Sequence, residues 1–164
     1  MAQLTAYIGL GSNLAHPPQQ IRSALKELDI LPDSRLLVCS PFYRSKPLGP
    51  PGQPDYINAV AALATALPAL ELLTGLLAIE DRHGRIRTEV RWGPRTLDLD
   101  LLLYGDRQAH DKVLTLPHPH LSERSFVLYP LYDIAPDLVI PGRGPLRELL
   151  KHCPRQELTQ LEIQ

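Results

Sequence analysis

Asp98 and Asp100 stand two residues apart in Thr96-Leu97-Asp98-Leu99-Asp100-Leu101-Leu102-Leu103, a stretch that reads as a β-strand. Strand side chains alternate faces, so both carboxylates point one way with Cα atoms about 6.5 Å apart. Leu97, Leu99, Leu101 and Leu103 are expected on the other face. Two carboxylates at that spacing can converge on a pair of hard cations about 3.5–4 Å apart. Just upstream, Arg91-Trp92-Gly93-Pro94-Arg95 sets two arginines and the single tryptophan around a rigid Gly-Pro turn. Guanidinium groups offer planar donors to phosphate oxygens. Metal ligands beside anion donors suggest a nucleotide polyphosphate held through Mg²⁺.

An Asp-x-Asp pair can also be the wet face of a half-exposed edge strand. The context favours chemistry. Arg82, Arg85, Arg87, Arg91 and Arg95 put five arginines into fourteen residues of a chain whose formal net charge is only −1. Gly84, Gly93 and Pro94 mark much of that stretch as loop, where binding residues concentrate. Familiar nucleotide motifs are excluded. Gly9-Leu10-Gly11-Ser12-Asn13-Leu14 lacks the third glycine of a dinucleotide fingerprint, and no Gly-Lys-Ser/Thr phosphate loop occurs. Gly11-Ser12-Asn13 reads equally as a capped turn or as substrate lining. His118-Pro119-His120 has no third ligand at zinc-like spacing.

The elements that must position these groups alternate in a mixed order. A first strand covers 4–10, and Pro17-Pro18 opens a helix with an apolar face of Ile21, Ala24, Leu25 and Leu28. A second strand runs from about Leu36 to Tyr43. Residues 46–54 hold four prolines and two glycines in nine residues, which forbids regular structure. A third strand covers Tyr56 to Ala64. A helix from Pro68 to Arg82 places Leu70, Leu73, Leu77 and Glu80 at helical spacing. The aspartate strand follows the irregular 84–94. Beyond it come a short extended piece near Val113, a helix around Ser125–Ile134, a short strand at Leu138–Ile140 and a last helix from Pro145. Strand–helix–strand–strand–helix–strand is the order of an α+β, ferredoxin-like sandwich. Its mixed or antiparallel sheet would carry helices on both faces.

Composition bounds the partners. A chain of 164 residues is expected to form one domain, 1–164, burying about 70% of its extended surface. The 44% hydrophobic and 21% charged fractions fit a folded globule. The charge balance argues against nonspecific nucleic-acid binding. No apolar run reaches membrane-spanning length and no signal peptide is evident. Two scattered cysteines, Cys39 and Cys153, fit a reduced cytoplasmic setting. A monomer is expected.

The run Arg91–Leu102 resembles the signature of the 6-hydroxymethyl-7,8-dihydropterin pyrophosphokinase family. Other blocks follow in that family's order: Tyr7–Leu14, Phe42–Ser45, Gln53–Ala59, Glu80 leading to Gly84-Arg85, Pro117-His118-Pro119, Arg124–Leu131 and Ile134-Ala135-Pro136. The resemblance covers nearly the whole chain. It implies transfer of the β,γ-diphosphate of ATP to the pterin hydroxymethyl oxygen, with two Mg²⁺ ions held by Asp98 and Asp100. It further implies catalytic roles for Arg85 and Arg95, and a pterin site of Ser45, Leu48, Tyr56, Asn58, Trp92 and Phe126, with Tyr56 and Phe126 sandwiching the ring. ATP would meet Glu80, Arg85, Arg87, Arg95, His118 and Arg124. His120 stands where relatives often carry arginine, Thr88 where some are basic, and Asp133 where glutamate is more usual.

Segments 46–54 and 84–94 are expected to act as lids that exclude water when both substrates bind. Two other readings compete: an RNA-binding or small-molecule-sensing ferredoxin-like module, and an Mg²⁺-dependent transferase with a different acceptor. The first needs exposed aromatics and a basic surface, whereas aromatics make up 5% of this chain.

Overall fold

A computed structural model describes residues 3–47, 51–84, 96–155 and 158–161. One antiparallel sheet dominates it. In sheet order its strands are β10 (Thr159–Gln160), β3 (Tyr43–Ser45), β4 (Tyr56–Thr65), β1 (Leu4–Ser12) and β5 (Asp98–Tyr104), with β2 (Ser34–Cys39) also pairing with β4. Helices α1 (Pro17–Asp29) and α2 (Ala69–Arg82) cover one face, where Ile8, Leu10, Ile21, Leu28, Leu63, Leu72 and Leu76 form the larger core. Helix α3 (Ser125–Ile134) covers the other, packing Leu128 and Leu131 with Val60, Leu102 and Leu103. The result is the expected α+β sandwich of ferredoxin-like strand order. Two small hairpins, β6 (Ala109–His110) with β7 (Thr115–Leu116) and β8 (Val139–Ile140) with β9 (Gly144–Pro145), a 3-10 turn (Leu121–Glu123) and helix α4 (Leu146–Lys151) complete the described elements.

Three expectations are corrected. The single strand from Leu36 to Tyr43 is two strands, because Pro41 has no N–H for the ladder. Ser40 bridges the break. Its N–H donates to the Val60 carbonyl at 2.9 Å and its Oγ accepts the Val60 N–H at 3.0 Å. The buried stripe of α2 is Ala69, Leu72, Leu76, Ile79 and Glu80, whereas Leu70 and Leu77 are 55% and 40% exposed. Leucines surround this helix, so periodicity alone does not choose a face; Gly75 does. A Cβ there would come within 3.2 Å of Leu31, so the glycine marks the line of closest approach. Leu72, Leu76 and Ile79 flank it on the same side.

The third correction is in β5. Leu97, Leu99 and Leu101 face the α1/α2 core as expected, but Leu103 packs with Leu102 on the α3 side. The β1–β5 register pairs Ile8 with Leu101 and Tyr7 with Leu103, leaving Leu102 as an extra residue. This is a β-bulge, which reverses the facing of everything beyond it. The aspartates lie before the bulge and keep their phase.

Candidate active site

The α3-facing side of the sheet opens into a cleft of about 320 Å³ at the end of β1, β3, β4 and β5. Its floor is built by strand alternation. Asp98 pairs with Gly11 of β1 and Asp100 with Gly9, and Gly11 pairs in turn with Asn58 of β4. Paired residues share a face, so the carboxylates, the glycines and Asn58 all look into one cleft. The glycines leave the middle of this floor bare. A Cβ on Gly11 would lie 3.5 Å from Asn58 Oδ1 and 3.6 Å from the Tyr56 ring.

On the β3–β4 side of the cleft stand Ser45, Tyr56 and Asn58, and Phe126 of α3 lines the same cleft. Asn58 is 4% exposed and donates from Nδ2 to Ser45 Oγ at 2.7 Å, which fixes the orientation of its amide. Two aromatic rings and an oriented amide suit a flat heterocycle with a polar edge. On the β5 side stand Asp98 and Asp100, and His118, His120 and Arg124 line the cleft with them. Asp100 Oδ2 lies 3.9 Å from Arg124 Nη1 and 4.0 Å from His118 Nε2. The Arg124 guanidinium carbon also sits 5.6 Å from the centre of the Phe126 ring, so one cation links that ring to Asp100.

His118 is seated by its backbone N–H, which donates to the Leu102 carbonyl of the bulge at 3.0 Å. Burial, and secondarily the Arg124 charge, pushes its imidazole down to about 4. It is therefore neutral at pH 7. The His120 N–H donates to His118 Nδ1 at 3.2 Å, which leaves the ring proton on Nε2, facing Asp100.

Glu80 is placed differently from its expected position at ATP. It is 1% exposed, lies behind the strand and forms no part of the cleft lining. Its Oε2 accepts the Leu99 N–H at 2.7 Å. Leu99 sits between the two aspartates on the edge strand, so a carboxylate from the last turn of α2 takes the place of a further strand. Ser12 does similar work at the entry to β5, donating to the Thr96 carbonyl at 2.5 Å. Asn13 donates to Gln53 and to the Pro54 carbonyl. Gly11-Ser12-Asn13 is thus part lining and part brace.

Ser45, Tyr56, Asn58, Asp98, Asp100, His118, Arg124 and Phe126 are brought together as expected. Leu48, Arg85, Arg87, Trp92 and Arg95 lie outside the described residues, as do 48–50 of the first expected lid and the second from 85 on. Gly9 and Lys46 line the cleft and are not singled out from sequence as site residues, whereas Gly11 has substrate lining as one of its two equal readings. The glycines were findable: Gly-x-Gly in one strand has the same period as Asp-x-Asp in another. Among the described residues no group of three or more His, Cys, Asp or Glu could cage a metal. Two carboxylates alone suit Mg²⁺, which takes one or two from protein and completes its octahedron with phosphate oxygens and water.

The profile of the family described as 7,8-dihydro-6-hydroxymethylpterin-pyrophosphokinase (HPPK) matches residues 7–136. The chain is 52% identical over 155 residues to the 2-amino-4-hydroxy-6-hydroxymethyldihydropteridine pyrophosphokinase of Pseudomonas aeruginosa, covering 94% of this chain and 95% of the relative. It is 48% identical over 158 residues to the Haemophilus influenzae protein of that name, covering 96% and 98%. Among solved structures, Plasmodium falciparum HPPK-DHPS matches with a TM-score of 0.72 at 13% identity, over 92% of this chain and 43% of that one. No helix among the described residues is long and apolar enough to cross a membrane. The carboxylate pair, the glycine floor and the aromatic end lie within the matched span, and the chain belongs to the 7,8-dihydro-6-hydroxymethylpterin-pyrophosphokinase family.

Proposed function

We propose that the chain transfers the β,γ-diphosphate of ATP to the hydroxymethyl oxygen of 6-hydroxymethyl-7,8-dihydropterin in folate biosynthesis. One observation carries the reading: a heterocycle-binding end and a dicarboxylate end share one glycine-floored cleft on one sheet face. The pterin lies between Tyr56 and Phe126, with its edge read by Asn58 and by backbone groups near Ser45 and Leu48. The triphosphate lies toward Asp98 and Asp100, with His118 and Arg124 at the nucleotide. Arg85 and Arg95 are assigned to the transferring phosphates, Arg87 to the nucleotide and Trp92 to the pterin.

Asp98 and Asp100 would hold two Mg²⁺ ions, which when bound screen the charge on the incoming and leaving oxygens. The acceptor oxygen bonds to the β-phosphorus and releases its proton, while the bond to the α-phosphate oxygen breaks and AMP departs with the electron pair. The side chains act by placement. Asn58 and the rings fix the acceptor oxygen, and Arg124 offsets negative charge at the far end of the cleft. Neutral His118 offers an N–H without adding a second cation beside the metal ligands.

Incubation of the protein with Mg²⁺, ATP and the pterin tests this. The expected products are AMP and pterin diphosphate in equal amounts; ADP, or no acceptor-dependent product, would overturn it. We further propose a single-domain monomer acting in the cytoplasm. Both Cys39 and Cys153 are free thiols, the state a reducing compartment maintains. A sedimentation mass of about 18.3 kDa is expected for the monomer.

A further inference from the structure

Helix α3 presents Phe126, Tyr129 and Asp133 at i, i+3 and i+7, a single stripe of the helix. Phe126 reaches the cleft at the first turn. The other two are gripped well away from it. Asp133 Oδ2 accepts a hydrogen bond from the hydroxyl of Tyr43 on β3, a residue only 2% exposed. Tyr129 donates its hydroxyl to the Cys153 carbonyl at 2.9 Å. The Arg155 guanidinium carbon is near both phenol rings, 5.8 Å from the centre of the Tyr43 ring and 5.6 Å from that of Tyr129. Arg155 Nε donates to the Leu158 carbonyl at 3.3 Å, just before β10 adds itself to β3.

Strand β3 is the other partner in this grip. Tyr43 and Ser45 share one face of it, and Ser45 Oγ orients the Asn58 amide. Tyr43 therefore connects, within one short strand, to the edge-reading end of the cleft. Asp133 connects along one helical stripe to the ring opposite. We infer that Tyr43, Asp133 and Arg155 are positioning residues that set the gap between Phe126 and the Ser45–Asn58 floor, and so the fit of the pterin.

This rests on the pterin assignment proposed above. Burial, followed by the Asp133 carboxylate, pushes the Tyr43 phenol well up. It stays a donor at any pH used to assay the protein. An Asp133 amide would still accept that donor, whereas a phenylalanine at 43 leaves the carboxylate without it. A lysine at 155 keeps the charge but lacks the planar, delocalised guanidinium that reaches both rings.

The test measures the Kd of the pterin in the presence of Mg²⁺ and a saturating non-hydrolysable ATP analogue, and separately the Kd of the analogue. Tyr43→Phe, Arg155→Ala and Arg155→Lys are expected to weaken pterin binding about ten-fold, with analogue binding within about two-fold of the parent. Asp133→Asn is expected to stay close to the parent. Arg155 is exposed, and its variants are expected to keep the parent's circular dichroism spectrum and melting transition, which is checked alongside. Unchanged pterin affinity in both Tyr43→Phe and Arg155→Ala would overturn the inference. An equal loss for pterin and analogue would do so as well, since that marks a merely structural role. A parent chain that binds no pterin would overturn the functional reading, and this inference with it.

Discussion

Gly11→Ala separates folding from function by moving them in opposite directions. Gly11 lies in a strand interior without a positive φ, where alanine is about 0.5–1 kcal/mol more favourable than glycine. The added methyl meets Asn58 Oδ1 at 3.5 Å and the Tyr56 ring at 3.6 Å, ordinary contact distances that demand no movement. The fold should therefore be as stable as the parent or up to about 1 kcal/mol more so. The same methyl occupies the floor between the aromatic end and Asp98. Forcing an extra methyl into a fitted contact costs about 1–3 kcal/mol, or about 5- to 150-fold in affinity. Urea denaturation gives the first quantity, and titration of the pterin against a non-hydrolysable ATP complex gives the second. Gly9→Ala serves as the internal comparison, because its methyl meets the Leu102 side chain at 3.5 Å and lies beside Asp100. It should act more on nucleotide than on pterin binding. A Gly11→Ala protein that binds pterin like the parent, or loses more than about 1 kcal/mol of stability, refutes the floor geometry.

Asp98→Asn and Asp100→Asn should each abolish turnover with the circular dichroism spectrum and melting transition retained; activity near the parent level in either would remove the metal assignment. Glu80→Leu leaves the buried Leu99 N–H without its carboxylate and should cost about 1–3 kcal/mol in urea denaturation. Glu80→Gln, which keeps an acceptor, should cost less; equal costs would argue against the Leu99 bond. Metal-free stability should fall in two acid steps. His118 is held at about 4, below the ordinary histidine value near 6.5, so the unfolded chain protonates first. Stability is then lost as pH drops from about 6.5 toward 4, by at most about 3 kcal/mol. His118→Gln should flatten this step. Burial pushes Glu27 up, but hydrogen bonds from Arg82 and His83 outweigh it and leave its carboxyl lowered. Its contribution is present above the ordinary carboxylate range and lost only below it, and Glu27→Gln should remove that second step.

What was readable from sequence was local. Asp98 and Asp100 share a face because strand period is two, and nothing distant changes that. Pro17-Pro18 opens α1, and Ser125–Ile134 is helical as expected. The misplacements came from groups whose partners are remote in sequence. The family resemblance alone assigns Glu80 to ATP, whereas the structure sets its carboxylate against the Leu99 N–H. Its partner is the backbone of an edge strand that periodicity cannot locate. Leu103 was assigned to the wrong face because a bulge depends on the register with β1. The face of α2 was ambiguous among many leucines and is decided by the approach of Leu31 to Gly75. The glycines of β1 invite comparison with a dinucleotide fingerprint, yet their use is as bare strand positions opposite carboxylates.

The glycine floor ties catalysis to the folding reaction itself. Gly9 and Gly11 lie on β1, which pairs on one side with β4 and on the other with β5. That surface comes into being only when the three strands, far apart in sequence, have docked. A partly folded chain accordingly has aspartates but no cleft, and so no means of spending ATP on water. Occupancy by substrates then adds to the stability of the whole domain, by about 2.7 kcal/mol at a ligand concentration one hundred times Kd. The melting temperature of the intact chain becomes a direct gauge of how full its site is.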